Sequence, residues 1–178
     1  MTSVQNSAVP ARVFDPFKLA ATGDWIGGVA DVAMLPRLAE RLAADRTQTP
    51  IRWRIEGSLD SRSRPQLTLH LQGSIWLVCQ RCLQPFAWPL EHTTSVLLAR
   101  DEAELERLDV DEAEVVLATP RMNAQELVED ELVLTVPFAP RHAEDECPAP
   151  SVLKTEANRP FAALDRKLAG LGSSETKE

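Results

Sequence analysis

The sequence contains no tyrosine, and aromatic residues make up only 5% of it, so a surface for stacking RNA bases is not evident. It has no apolar run of the roughly 18–20 residues needed to span a bilayer. Its first residues lack the basic and then apolar segments that mark a secretory signal. From these absences we expect a cytoplasmic protein without membrane association. In that compartment the three cysteines are expected to be reduced or metal-bound rather than joined in a disulfide.

Recognised catalytic motifs are also absent. The chain has no glycine-rich phosphate loop and no dinucleotide-binding fingerprint. It has no G-x-S-x-G nucleophile elbow, and none of its histidines (His70, His92 and His142) lies in a catalytic motif. The sequence therefore predicts a protein that is not an enzyme.

The net charge of −8 limits how the chain could bind nucleic acid. Affinity for a phosphate backbone comes mostly from lysine and arginine, so an acidic chain repels RNA at long range unless its basic residues share one face. A basic protein partner fits the charge equally well. The 178 residues suit one domain. We expect an extended N-terminal segment at 1–30, a single α+β domain at 31–170 and a disordered tail at 171–178.

Alternation of apolar and polar residues predicts the strands of this domain. The predicted strands are Ile51 to Glu56, Leu67 to Val78, Phe86 to Leu98, and Val115 to Leu117. Gly73 suggests a β-bulge within the second strand, and Pro89 places the third strand at an edge or a bulge. The sequence between the two long strands predicts a hairpin.

Helical signals are shorter. Pro36 suits a first helical position and predicts a helix over 36–45, while residues 1–24 look like a loop with a short extended piece. Asn123 and Glu126 resemble a capping box, and that helix must end before Pro137. A last short helix is predicted at 160–168. The expected fold is α+β: an antiparallel β-sheet, open or curled toward a barrel, flanked by two or three short helices.

The sharpest chemical feature is a thiol pair at the predicted hairpin tip. Cys79 and Cys82 are separated by two residues, so both sulfurs can bind one metal ion from a tight turn. His142 and Cys147 could complete a tetrahedral set of three sulfurs and one nitrogen. Zinc suits these ligands, and four protein ligands would make the site structural. The alternatives are a redox pair, which usually begins a helix rather than joining two strands, and inert buried thiols.

Charged clusters offer candidate contact surfaces. Arg52 and Arg54 share one face of a strand and could bind phosphate, although a solvated face is the ordinary interpretation. The run Glu129, Asp130 and Glu131 lies on a predicted helix, where neighbouring side chains point about 100° apart. It could be solvated and paired with arginines, or it could contact a basic partner or a bound magnesium ion. The acidic residues of 101–114 predict a solvated, partly helical loop or a docking patch for a basic partner.

Three ordered segments of the chain resemble the bacterial YceD family. Gly73 to Pro85 is similar to its strand followed by C-x-R-C-L-x-P. Leu127 to His142 resembles L-V-E-D-E-L-x-L-x-x-P-x-x-P-x-H, and Arg159 to Leu164 resembles N-P-F-A-x-L. The motif positions that the resemblance maps onto this chain are Cys79, Arg81, Cys82, Glu129, Asp130, Glu131, Pro137, Pro140, His142 and Cys147.

The resemblance implies a role in the synthesis, processing or stability of 23S ribosomal RNA, without an enzymatic activity. We therefore expect a non-catalytic ribosome biogenesis factor that acts on 23S rRNA or its precursor, directly or through a ribosomal protein. Arg52, Arg54, Arg81, Glu129, Asp130 and Glu131 are the candidate contact residues. One alternative is an acidic adaptor or holdase for a basic ribosomal protein, and a further one is a thiol oxidoreductase.

Overall fold

The structure is a computed structural model that describes residues 12–109, 114–143 and 146–147. The strands within these ranges are β1 (Val13–Phe14), β2 (Trp25–Ala30), β3 (Ile51–Leu59), β4 (Pro65–Val78), β5 (Pro85–Ala99), β6 (Val115–Leu117) and β7 (Met122–Asn123). The helices are α1 (Pro16–Thr22), α2 (Pro36–Ala39), α3 (Glu102–Leu108) and α4 (Ala124–Thr135), with a 3-10 turn at Val32–Met34. None of the helices in these ranges is both long and apolar enough to cross a membrane.

The main sheet has five strands in the order β2-β3-β4-β5-β6. Neighbouring strands are antiparallel except β5 and β6, which are parallel. The sheet is open, with β2 and β6 as its edges, and β1 and β7 form a separate two-stranded sheet. The predicted α+β class with a largely antiparallel sheet and short helices is confirmed.

One face of the sheet carries the hydrophobic core. In β3 the side chains of Ile51, Trp53 and Ile55 are buried, whereas Arg52 and Arg54 between them are exposed. The same alternation buries the odd-numbered apolar residues of β4, and α4 packs onto this face through Val128 and Leu132. The opposite face is polar, as the alternating sequence predicts.

The predicted bulge at Gly73 is wrong. β4 and β5 pair without interruption from Gln66 and Leu97 to Val78 and Pro85. The apolar residues on both sides of Gly73 already have the same parity, so no extra residue is needed to keep them on one face. The prediction for Pro89 is confirmed as an edge position, because β6 pairs with β5 only from Leu97 onward.

The N-terminal part is more ordered than the extended piece expected there. Asp15 begins α1 by accepting hydrogen bonds from the backbone N–H groups of Phe17 and Lys18. Gly23, in the left-handed conformation at φ 63°, ends the helix. β2 then joins the sheet beside β3. The proposed division at residues 30 and 170 stays a prediction.

One helix is shorter than predicted, and two predictions lie outside the described residues. α2 stops at Ala39 rather than residue 45, because the chain then runs along β4, where the Ala43 N–H donates to the Trp76 carbonyl at 2.9 Å. Part of the acidic segment forms α3, capped by Asp101. α4 begins after Asn123 and ends before Pro137 as predicted. The expected helix at 160–168 and tail at 171–178 lie outside the described residues.

Candidate metal centre

The β4–β5 hairpin closes through a tight turn that contains the thiol pair. The Cys79 N–H donates to the Gln84 carbonyl at 3.0 Å, and the Leu83 N–H donates to the Cys79 carbonyl at 2.9 Å. The Arg81 N–H points at the Cys79 sulfur, 3.4 Å away. Leu83 adopts a left-handed conformation with φ 60°. This turn brings Cys79 and Cys82 to the same end of the hairpin.

The second half of the site follows α4. Arg41 fixes the end of this helix, because its Nη1 donates to the carbonyls of Val133 and Val136, each at 3.2 Å. The chain then extends through Pro137 to Pro140, whose carbonyl accepts a hydrogen bond from the Gln80 N–H at 2.8 Å. We call residues 137–147 the C-terminal limb. This bond fixes the limb beside the hairpin tip.

The two halves meet, as the sequence predicts. The sulfurs of Cys79 and Cys147 are 3.8 Å apart, and the Cys82 sulfur is 3.5 Å from Nδ1 of His142. All four ligand atoms lie within 4.8 Å of one another. Cys79 is buried, and the other two thiols are partly exposed. We call these four residues the Cys3His cluster.

The distances suit a tetrahedral metal ion. With Zn–S bonds near 2.3 Å and Zn–N bonds near 2.0 Å, a tetrahedron has edges of about 3.8 Å between sulfurs and about 3.5 Å between sulfur and nitrogen. Two contacts of the cluster, Cys79 to Cys147 at 3.8 Å and Cys82 to His142 at 3.5 Å, have these lengths. Thiolate and imidazole are also the ligands that zinc prefers in structural sites. The residues present therefore fit a metal ion with four protein ligands.

The thiols of the cluster differ in acidity. Burial acts to raise the pKa of Cys79, but hydrogen bonds from the backbone N–H groups of Cys82, His142 and Arg81 and from the His142 side chain outweigh it and lower the pKa to about 5. Burial and the neighbouring sulfurs of Cys82 and Cys79 raise the pKa of Cys147 to about 11. Cys79 is thus ready to bind a cation as a thiolate, whereas a metal ion would have to displace the proton of Cys147.

An aromatic contact orients the imidazole. The rings of Phe86 and His142 lie with their centroids 4.7 Å apart and their planes inclined by 36°. Phe86 belongs to β5 just beyond the hairpin turn. Its position relative to the histidine depends on how the limb folds back, so this contact could not be predicted from a local sequence pattern.

The predicted basic contact residues lie in two places. Arg52 and Arg54 are exposed on the polar face of β3, where Arg54 pairs with Glu56 at 2.6 Å and lies over the Trp25 ring at 4.5 Å. Arg81 is exposed at the hairpin tip. β3 pairs with β4 only as far as Gln72, so the structure does not bring the three arginines together.

The acidic run of α4 makes contacts within the fold. Glu129, only 6% exposed, accepts a hydrogen bond from the Arg37 N–H at 2.8 Å. Asp130 pairs with the Arg37 guanidinium, and Glu131 binds Nε2 of His92 at 2.6 Å. The three carboxylates therefore hold α4 against α2 and β5. Their contact with a partner stays a prediction, and Asp130 has the most exposed carboxylate of the three.

Comparison with known proteins gives one match. The family model described as "Large ribosomal RNA subunit accumulation protein YceD" matches residues 67–171. That range contains all four members of the Cys3His cluster and the whole of α4. No curated protein and no solved structure matches the chain.

Proposed function

Because the chain belongs to the YceD family of large ribosomal RNA subunit accumulation proteins, we propose that it is a non-catalytic cytoplasmic factor that supports the synthesis, processing or stability of 23S rRNA. It acts on this RNA or its precursor, directly or through a ribosomal protein. The observation that carries the proposal is the family match, which spans the hairpin, α4 and the C-terminal limb.

The site geometry favours a structural role over turnover. A metal ion held by three thiolates and one imidazole has no open position for water or substrate, and open positions distinguish catalytic zinc sites from structural ones. When bound, zinc would supply a cross-link between the hairpin tip and the C-terminal limb. Cys79, Cys82, His142 and Cys147 would hold it.

Metal content tests this part of the proposal. We expect about one zinc per chain by elemental analysis of protein purified without chelator, because all four ligands are of the type that binds structural zinc. The matched control is the double variant Cys79→Ser, Cys82→Ser, which should contain almost none. A stoichiometry near zero in fresh, reduced wild-type protein would remove the zinc proposal.

The ribosomal role is tested in cells. Deletion of the gene is expected to lower the ratio of 23S to 16S rRNA, and re-expression of the intact chain is expected to restore it. A metal-site variant such as Cys82→Ser then shows whether the cluster is needed for that restoration. An unchanged ratio in a clean deletion would count decisively against the function.

An acidic adaptor for a basic ribosomal protein is the second candidate. The net charge of −8 favours it, and α3 adds exposed carboxylates at Glu102 and Glu106. Affinity capture of the tagged chain at moderate salt, with and without RNase, separates the two modes. Recovery of one basic protein after RNase treatment supports the adaptor, whereas RNase-sensitive recovery supports direct contact with RNA.

A thiol oxidoreductase is the remaining alternative, and the low pKa of Cys79 would suit it. The local structure favours a metal ligand instead. The Cys-x-x-Cys pair lies in a turn between two strands rather than at a helix N-terminus, and His142 and Cys147 face it. Catalysed reduction of a model disulfide by the wild type but not by Cys79→Ser would support the redox alternative.

A further inference from the structure

The hairpin tip and the C-terminal limb run side by side through two consecutive contacts. The Gln80 N–H donates to the Pro140 carbonyl at 2.8 Å, and the Cys82 sulfur lies 3.5 Å from Nδ1 of His142. Arg81 and Arg141 each lie between these two contacts, one on either segment. The backbone positions of the two arginines therefore lie between the same two contacts, on adjacent segments.

Both arginines are exposed. Neither arginine forms an ion pair within the described part of the chain. Glu146, on the same limb as Arg141, is also not paired with either of them. Two like charges on adjacent segments repel each other, and an anion between them would remove that repulsion. Guanidinium groups bind phosphate oxygens through paired, charge-assisted hydrogen bonds. The arrangement is therefore suited to a phosphate group.

Exposed apolar side chains flank the arginine pair. Leu83 is 67% exposed although its left-handed backbone would be easier for glycine, so packing within the fold does not explain a leucine there. Phe138 is 92% exposed and lines the same shallow cavity as Gln80 and Pro140. A free aromatic ring beside cationic side chains can stack an unpaired base. Such bases are available in single-stranded RNA and in loops.

We propose that Arg81, Leu83, Phe138 and Arg141, here called the tip surface, bind single-stranded RNA. A phosphate lies between the two arginines, and an unstacked base lies against Phe138. The inference deepens the proposed ribosomal function and rests on it. It adds a defined contact surface and makes RNA binding dependent on the metal centre, because the Cys3His cluster joins the two segments that carry the arginines.

Binding of labelled oligouridine, followed by fluorescence anisotropy at several salt concentrations, tests the proposal with the full zinc-loaded chain. Each phosphate contact on a single strand contributes about −0.7 to the slope of log affinity against log salt. Because the two arginines share one phosphate, the double variant Arg81→Gln, Arg141→Gln should bind at least about tenfold more weakly at low salt and lose about 0.7 of that slope. Phe138→Ala should weaken binding at least about fivefold with the slope unchanged.

The competing candidate surface is tested by Arg52→Gln, Arg54→Gln, which removes the same charge from the polar face of the sheet. It should retain most of the affinity, because the tip surface is intact. Circular dichroism and zinc content establish that all variants are folded and loaded. Removal of zinc should weaken RNA binding by the wild type. The same treatment should change the RNA affinity of the tip double variant little, because its phosphate contact is already lost.

Two results would overturn the tip surface: no measurable binding by the wild type, or equal affinity and salt slope in the tip double variant. If the Arg52→Gln, Arg54→Gln variant loses RNA binding while the tip double variant keeps it, the RNA contact would instead be assigned to β3. The 23S to 16S ratio in the deletion strain is measured independently. If that ratio falls while the wild type binds no RNA, the ribosomal function stands through a protein partner and the tip surface is wrong.

Discussion

At the scale of single residues, Glu129 shows how one charged side chain can be stabilised inside the fold. α2 starts at Pro36 after Leu35, which has no side chain able to cap the helix. The carboxylate of Glu129 takes that role from α4, by accepting the N–H of Arg37 and pairing with its guanidinium at 3.4 Å. The N-terminus of α2 is thus satisfied by a residue 92 positions away in the chain.

Replacement of Glu129 should therefore destabilise the protein. We expect Glu129→Ala to lower the free energy of unfolding by about 2 kcal/mol, because it removes both a helix cap and the partner of Arg37. Glu129→Gln keeps an acceptor and should cost about half as much. Asp130→Asn is the control, since an exposed ion pair contributes about 0–1 kcal/mol. Urea unfolding gives the values, and equal losses in all three variants would contradict the capping role.

Asp60 provides a pH-dependent contribution in the β3–β4 turn. The backbone N–H of Arg64 lowers the pKa of this carboxyl, and the Arg64 guanidinium and the Arg62 N–H act in the same direction, against the opposing effect of burial. Because the folded pKa lies below the ordinary value of 3.8, the stabilisation is present above that pH and is lost as pH falls through the folded pKa. The difference in stability between wild type and Asp60→Asn should therefore shrink in acid. Urea unfolding at neutral pH and below pH 3.8 measures it, and a constant difference would refute the assignment.

At the scale of elements, the sequence predicted β3, β4, β5 and β6, but it did not predict α1 or the strands β1, β2 and β7. The period-two alternation along β3 and β4 is a local signal, so their positions followed from the sequence. Asp15, Pro16 and Gly23 were also visible as capping signals, but the short segment between them was interpreted as extended. On β3, Gly57 lies against α1. Only the tertiary structure shows why a glycine is needed at this position.

Gly57 allows α1 to lie directly on the sheet. A Cβ atom at this position would be 2.2 Å from the carbonyl carbon of Leu19, which is backbone and cannot yield without moving the helix. Gly57→Ala should therefore lower the free energy of unfolding by about 2 kcal/mol or more, as overpacking typically does. Gly73→Ala is the control, because its Cβ would meet the side chain of Ile51 at 3.2 Å. Denaturant unfolding compares the two, and a smaller loss for Gly57→Ala would contradict this packing.

At the scale of the whole molecule, the metal centre lies at one end of the hydrophobic core, where Phe86 packs against the core and contacts His142. The core is centred on residues such as Ile55, Leu69 and Val128 on one face of the sheet, whereas the Cys3His cluster is at the far end of the β4–β5 hairpin. The thiol spacing and the donor types predicted the Cys3His cluster as one candidate ligand set, and the structure brings its four side chains together. Metal binding by this set stays a prediction. The Phe86 contact and the hydrogen bond from Gln80 to Pro140 depend on how the limb returns, which no local pattern encodes.

Because the metal centre lies at one end of the core, we expect metal removal to affect the hairpin tip and to leave the sheet intact. Chelation should remove hydrogen-exchange protection from the Gln80 amide, because its bond to Pro140 depends on the limb staying in place. Amides of Ile55 and Leu69 in the sheet should keep theirs, since core strands open only with global unfolding. Exchange measured with and without chelator, on wild type and on Cys82→Ser, tests this. Loss of protection throughout the sheet would show that metal and core form one cooperative unit.

The order in which the ligands appear along the chain affects how the protein is made. Cys82 and His142 are 60 positions apart, so at roughly 5–20 residues per second the ribosome adds the histidine some 3–12 s after the second cysteine. During that interval the nascent hairpin carries two thiols, and the other two members of the cluster, His142 and Cys147, have not yet been synthesised. Coordination by four ligands would need a chain translated through Cys147, so a prematurely terminated product would keep two thiols without their further ligands.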